Sequence, residues 1–245
     1  MTSTAAILVI GNEILSGRTR DANVSFLGGE LAACGITLAE VRIIRDDTDA
    51  IVEALNALRR RYSYVFTSGG IGPTHDDITA AAVAAAFGVP LTRNAEAVQR
   101  LQSRYAAGEL NGARLKMADT PEGATLIDNP VSQAPGFRLD NVFVMAGVPR
   151  ILQAMFDGIR DDLTGGPPQA SRSVTLVVRE GDLADGLAAL QNRHPEVEIG
   201  SYPSFTEGRS LVTVVARGTD PGLLDGVMGE TRTLAGLLNA TVLDG

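Results

Sequence analysis

Thr67-Ser68-Gly69-Gly70-Ile71-Gly72-Pro73-Thr74-His75-Asp76-Asp77-Ile78-Thr79 is the stretch on which the reading of this chain turns. Tyr64-Val65-Phe66 ahead of it has the character of a buried strand, and the alanine-rich run Thr79–Phe87 behind it reads as a helix. Three glycines in four positions (Gly69, Gly70 and Gly72) let the backbone turn sharply and come close to a ligand. The free N–H groups of such a turn, with the N-terminus of the next helix, suit an anion. Asp76 and Asp77 stand on the same turn. Bare carboxylates repel phosphate, so a cradle beside acids points to a metal-bridged phosphate. The competing reading is that the acids only cap the helix, which is favourable in any protein. Two adjacent Asp beside Gly-Gly-x-Gly-Pro weigh against it.

Toward the N-terminus, Ala5–Ile10 is a continuous apolar run, as in a central strand buried on both faces. It runs into Gly11-Asn12-Glu13-Ile14-Leu15-Ser16-Gly17, a polar turn with Glu13 just past the strand. The pattern predicts a helix over Asn23–Ala33 stopped by Gly35, then a strand over Ile36–Ile44 closed by Arg45-Asp46-Asp47. Thr48 or Asp49 is expected to cap the next helix, whose Ile51, Leu55 and Leu58 share one face. Toward the C-terminus, a helix from Asn94 through Ala107 is followed by a strand over Ala124–Ile127 and a loop over Asn129–Phe137. A strand over Val142–Met145 ends at Ala146-Gly147-Val148-Pro149, and Ile151, Met155, Ile159 and Leu163 mark a helix.

This alternation predicts an α/β fold: a three-layer, doubly wound, mainly parallel sheet. Loops after the strands' carboxyl ends share one edge of such a sheet, so Glu13, Asp46, Asp76 and Asp77 are expected to meet at one crevice. Thr164-Gly165-Gly166-Pro167-Pro168-Gln169 is the expected boundary between domains at 1–165 and 172–245. The second reads βαββα(β), a small α+β domain with an antiparallel sheet.

Composition narrows the partners. A net charge of −8 argues against nucleic acid or an anionic membrane, and residues 172–245 hold six Arg against ten Asp or Glu. Gly226-Val227-Met228-Gly229 matches the short loop of one RNA-binding module but falls within a helical pattern. The single Cys34 rules out an intramolecular disulfide and reads as a buried structural thiol. The first residues have no secretory character and no stretch approaches 18 apolar residues, so a cytoplasmic protein is expected. There is no dinucleotide fingerprint, P-loop lysine or nucleophile elbow. Of two histidines, His194 reads as a surface or capping residue, while His75 lies in the loop and is a candidate for phosphate or metal contact.

The residues now quoted, with Asn129-Pro130, Ala134-Pro135-Gly136-Phe137 and Gly147-Val148-Pro149, resemble the molybdopterin-binding-type domain of the CinA (competence/damage-inducible protein A) family. The resemblance runs from about residue 5 to 163, and the small C-terminal domain is similar to the one that follows it in CinA-type proteins. Gly11-Asn12-Glu13 stands where that family usually has Gly-Asp-Glu, and Met145-Ala146-Gly147 where Leu-Pro-Gly is common. The chain ends at Gly245, without the nicotinamide-mononucleotide deamidase domain of full CinA proteins, so that deamidation is not expected.

What the resemblance implies is a small-molecule partner, a phosphate-bearing nucleotide or pterin such as molybdopterin. In CinA-like and FAD-synthase-attached versions it implies divalent-metal-dependent cleavage of a diphosphate such as ADP-ribose or FAD. In the related adenylyltransferases the functional acids align with Asp77 and Asp46. The leading expectation is a metal-assisted pyrophosphatase. Asp46 and Asp77 are its catalytic acids, and Glu13, Asp46, Asp76 and Asp77 bind Mg²⁺, Mn²⁺ or Co²⁺, with K⁺ as a further ion. Gly11, Ser68, Gly69, Gly70, Gly72, Pro73, Thr74, Pro135, Gly136 and Gly147 are the expected phosphate and substrate contacts. Two alternatives stay open: nucleotidyl transfer to molybdopterin at the same site, and a non-catalytic pterin or nucleotide binder, which Asn12 favours. A homo-oligomer, dimer or trimer, is also implied.

Overall fold

The computed structural model describes residues 3–106, 108–206 and 208–243. The chain divides into two compact units, Met1–Gly166 and Pro167–Gly245.

Among the described residues the first unit is built on eight strands: β1 (Thr4–Ile10), β2 (Thr37–Ile44), β3 (Tyr64–Ser68), β4 (Leu91–Arg93), β5 (Asp119–Pro121), β6 (Thr125–Ile127), β7 (Gly136–Leu139) and β8 (Val142–Met145). Its helices are α1 (Asn12–Leu15), α2 (Asn23–Ala33), α3 (Thr48–Arg61), α4 (Thr79–Phe87), α5 (Ala95–Arg104), α6 (Gly112–Leu115) and α7 (Pro149–Ile159). Six strands form one sheet in the order β2-β1-β3-β8-β7-β6, while β4 and β5 pair separately. β2, β1, β3 and β8 run parallel, and β7 and β6 are antiparallel additions.

The apolar run of β1 feeds both faces. Ala6, Leu8 and Ile10 join Ile51, Leu55 and Leu58 of α3 and Val83 of α4 in one core. Ala5, Ile7 and Val9 join Leu27 and Leu31 of α2 and Leu152, Met155 and Phe156 of α7 in the other. Period-two alternation along a strand buried on both sides makes the three layers.

The second unit is a four-stranded antiparallel sheet in the order β10-β11-β9-β12, from β9 (Ala170–Val177), β10 (Glu198–Thr206), β11 (Arg209–Gly218) and β12 (Thr241–Leu243). Helices α8 (Glu180–Arg193) and α9 (Pro221–Leu237) supply Leu183, Leu224, Val227 and Met228 to its own core.

Several local expectations change. Asp47, not Thr48 or Asp49, caps α3: its Oδ1 accepts the Ala50 N–H at 2.9 Å. α5 ends at Arg104, and its expected end, Ala107, lies outside the described residues. The loop expected over Asn129–Phe137 closes early, because Gly136 already opens β7. Cys34 is only partly buried, at the C-cap of α2, and that partial burial raises its thiol pKa. Among the described residues no helix is long and apolar enough to cross a membrane.

Candidate functional site

β2 lies on one side of β1 and β3 on the other, so the strand order reverses at β1. In doubly wound sheets that is where a crevice opens beyond the carboxyl ends. Here it encloses about 570 Å³ and is lined by Glu13, Asp46, Gly69 through Thr74, Asp76, Asp77 and Gly147, with Asn129 and Ser132 opposite. That volume falls in the range of small-ligand sites, roughly 300–1,000 Å³.

The glycine loop holds its shape through its own backbone. Gly69 has φ +109° and Gly70 φ +71°, and a Cβ on them would lie 2.2 Å from the Ile10 carbonyl oxygen and 2.1 Å from Thr79 Oγ1. Only glycine fits such approaches. Thr79, fully buried, closes the turn: its Oγ1 donates to Gly69 O at 3.0 Å and its N–H to Gly70 O at 3.0 Å. Among the described residues no backbone carbonyl accepts from the N–H groups of Gly70, Ile71 or Gly72.

The acids are placed by Thr74. Its N–H donates to Asp77 Oδ2 at 2.8 Å, and its hydroxyl oxygen lies 2.5 Å from Asp76 Oδ1 and 2.6 Å from Asp77 Oδ2. The Thr74 hydroxyl, and next a backbone N–H, hold the Asp76 carboxyl below its ordinary range. Across the crevice Asp46 Oδ2 accepts the Asn12 N–H at 2.8 Å, which fixes the start of α1 against the end of β2. Asp46 thus serves the N-terminus of α1, but helix capping accounts for neither Asp76 nor Asp77. α3 is capped by Asp47, and α4 has Ile78 at its cap position with no side-chain bond.

The crevice thus brings together Glu13, Asp46, Gly69, Gly70, Gly72, Pro73, Thr74, Asp76, Asp77 and Gly147. It does not include Gly11, Ser68, Pro135 or Gly136. Gly11 is buried at the end of β1, where a Cβ would lie 2.6 Å from the Glu13 carboxylate. Ser68 is buried and its Oγ accepts from Asn23. Gly136 packs so tightly in β7 that a Cβ would lie 2.2 Å from Val144 O. Pro135 lines a smaller neighbouring cavity with Phe137 and Lys116. His75 turns to solvent with 98% of its side chain exposed. His194 ends α8, bonded to Glu230 at 2.8 Å. Among the described residues no three His, Cys, Asp or Glu side chains close into a metal cage.

Three further residues shape the crevice and are not among the expected site residues. Asn23 is buried beneath the crevice, and its Nδ2 donates to Ser68 Oγ and to Gly147 O, each at 2.8 Å, tying the end of β3 to the loop after β8. The Asn129 amide shapes the opposite wall, donating to Ser132 Oγ at 2.6 Å and Ala134 O at 2.8 Å while its Oδ1 takes the Val131 and Ser132 N–H groups at 3.1 Å. Lys116 Nζ donates to Thr74 O at 2.9 Å. A polar residue heading an amphipathic helix signals Asn23, and Asn-Pro signals a turn at Asn129, but neither signal names a partner.

Residues 6–164 match the family described as "Probable molybdopterin binding domain". The chain belongs to the CinA-like molybdopterin-binding family. Residues 168–236 match the domain described as "FAD synthase, middle domain". A crystal structure of the CinA protein of Thermoplasma acidophilum, of unknown function, is 33% identical, with a TM-score of 0.63 over 66% of this chain and 98% of that one. A CinA-like protein of Syntrophus aciditrophicus is 36% identical over 85% of this chain and 53% of its own. A probable FAD synthase of Caenorhabditis elegans is 34% identical over 82% of this chain and 44% of its own. This CinA-like chain therefore spans about half the length of those two relatives.

Proposed function

We propose that this CinA-like chain is a divalent-metal-dependent pyrophosphatase that cleaves a nucleotide diphosphate of the ADP-ribose or FAD type. The observation that carries the reading is two carboxylates gathered on the Thr74 hydroxyl beside a glycine loop in which, among the described residues, no backbone carbonyl accepts from the N–H groups of Gly70, Ile71 and Gly72. The match of residues 168–236 to an FAD synthase domain and the likeness to a probable FAD synthase support a nucleotide substrate.

The residues fit a hard cation. A hydroxyl with one proton faces two carboxylate oxygens at 2.5 and 2.6 Å, a donor set of oxygens alone and in excess of negative charge. Mg²⁺-type ions are held by one or two carboxylates plus substrate phosphate, so a full protein cage is not required. Asp76 and Asp77 would hold the ion, with Asp46 and Glu13 in the lining of the same crevice. A bound divalent cation supplies charge neutralisation on the phosphoryl oxygens and a more acidic water. Gly70, Ile71 and Gly72 present N–H groups to one phosphate, and Asp46 and Asp77 orient the attacking water. Its oxygen bonds to phosphorus as the bridging P–O bond breaks, giving a nucleoside monophosphate and a second phosphate ester.

The test is product analysis by mass spectrometry with ADP-ribose and with FAD, using Mg²⁺, Mn²⁺ or Co²⁺, with and without K⁺, and with chelator. AMP release should require the metal and fall about a hundredfold or more in Asp77→Asn. That asparagine still offers an oxygen to the Thr74 N–H, so the turn survives. Full AMP release by Asp77→Asn would sink the reading. The description of the matched family supports molybdopterin as a ligand, and the second reading is adenylyl transfer to it at the same crevice. It predicts adenylylated pterin in place of free AMP. Binding without turnover would leave the carrier reading that Asn12 favours.

A further inference from the structure

Lys116 is the single lysine of the chain. It follows α6 and opens a short 3₁₀ turn, Lys116–Ala118. Its side chain lines the smaller cavity with Ile71, Ile78, Leu91, Met117 and Phe137, and its Nζ reaches Thr74 O at 2.9 Å. Thr74 thereby meets three charged groups: the ammonium on its carbonyl, Asp77 on its N–H, and both Asp76 and Asp77 on its hydroxyl.

We propose that Lys116 is a positioning residue, holding the acid-bearing turn Pro73–Ile78 in its working shape through the Thr74 carbonyl. It does not bind the ligand. The proposal rests on the reading above that Asp76 and Asp77 carry the chemistry. The turn belongs to no helix or strand, and its two adjacent carboxylates repel one another. A bond from an ammonium to a carbonyl is stronger than a neutral one and brings positive charge to that repulsion. The apolar stem has a separate task, filling the cavity wall as long cationic side chains do.

That division of labour sets the experiment. Lys116→Met keeps an unbranched apolar stem and removes the ammonium, whereas Lys116→Arg keeps a cation and donors. Amide hydrogen exchange across Thr74–Ile78, the melting temperature, and kcat and KM for diphosphate hydrolysis are measured for both. In Lys116→Met, exchange in the turn should quicken about tenfold, the worth of one hydrogen bond to a charged group. The melting temperature should hold within a few degrees, and kcat should fall about tenfold with KM within about twofold. Lys116→Arg should recover most of both losses. Unchanged exchange in Lys116→Met overturns the proposal, as does a raised KM at constant kcat, which would make Lys116 a ligand contact. If the unaltered protein cleaves no diphosphate, the pyrophosphatase reading fails while the exchange measurement still decides the role of Lys116.

Discussion

Thr74 has one hydroxyl proton and two carboxylates to offer it to. That imbalance, and the close approaches at Gly69 and Gly70, are properties of single residues that set what the crevice can hold. Gly70 tests the loop most directly. Gly70→Ala would force a side chain into a left-handed backbone position and press its Cβ against Thr79 Oγ1. The expected cost is about 1–3 kcal/mol of stability, read by urea unfolding, together with weakened nucleotide binding. A fully stable Gly70→Ala that binds normally would show that the loop yields freely. The sequence marks the glycines and acids of the crevice because each stands just past a strand, where a doubly wound sheet exposes its ligand edge. It does not separate Thr74 from Ser68. Both are hydroxyls beside the same glycines, but Ser68 is the last residue of β3 and faces Asn23, 45 residues earlier in the chain. Asn23 and Lys116 are hidden for the same reason, because a partner far off in sequence leaves no local pattern; Asn129 bonds only within its own turn, which reads as a turn and not as the wall of a crevice.

The adjacent acids at the end of β2 show how an element divides labour between neighbours. Asp47 caps α3 through the Ala50 N–H, while Asp46 turns to the Asn12 N–H and the crevice. Asp47→Ala should therefore lose about 1 kcal/mol of stability and keep turnover. Asp46→Asn retains an acceptor for the Asn12 N–H, so it should keep stability and lose turnover. Thermal melts set beside AMP release check the pair, and a reversed pattern would exchange the two roles. Elements with a strong period were legible: Ala5–Ile10 reads as buried on both faces and becomes the centre of both cores. The misread elements are those in which a turn residue sits inside a strand. Gly136 begins β7, and Pro203 lies within β10, an edge strand where a missing N–H costs no ladder bond. The loop reading of Asn129–Phe137 follows from the first of these.

At the level of the whole chain, the crevice belongs to one unit. Its lining runs from Ile10 to Ile151, all within Met1–Gly166, and that unit carries two cores of its own, one on each face of its sheet. The smaller unit closes its core without borrowing from the first. A chain of that first unit's size buries roughly 70% of its unfolded surface, enough to stand alone. A protein ending at Gly166 should accordingly unfold in a single cooperative transition and cleave the same diphosphate with kcat/KM within about twofold of the longer chain. Calorimetry and the AMP assay together read both properties. A cooperatively folded protein ending at Gly166 that has lost turnover would assign part of the working site to Pro167–Gly245, and the residues that complete it would then have to be sought on the sheet of β9 to β12.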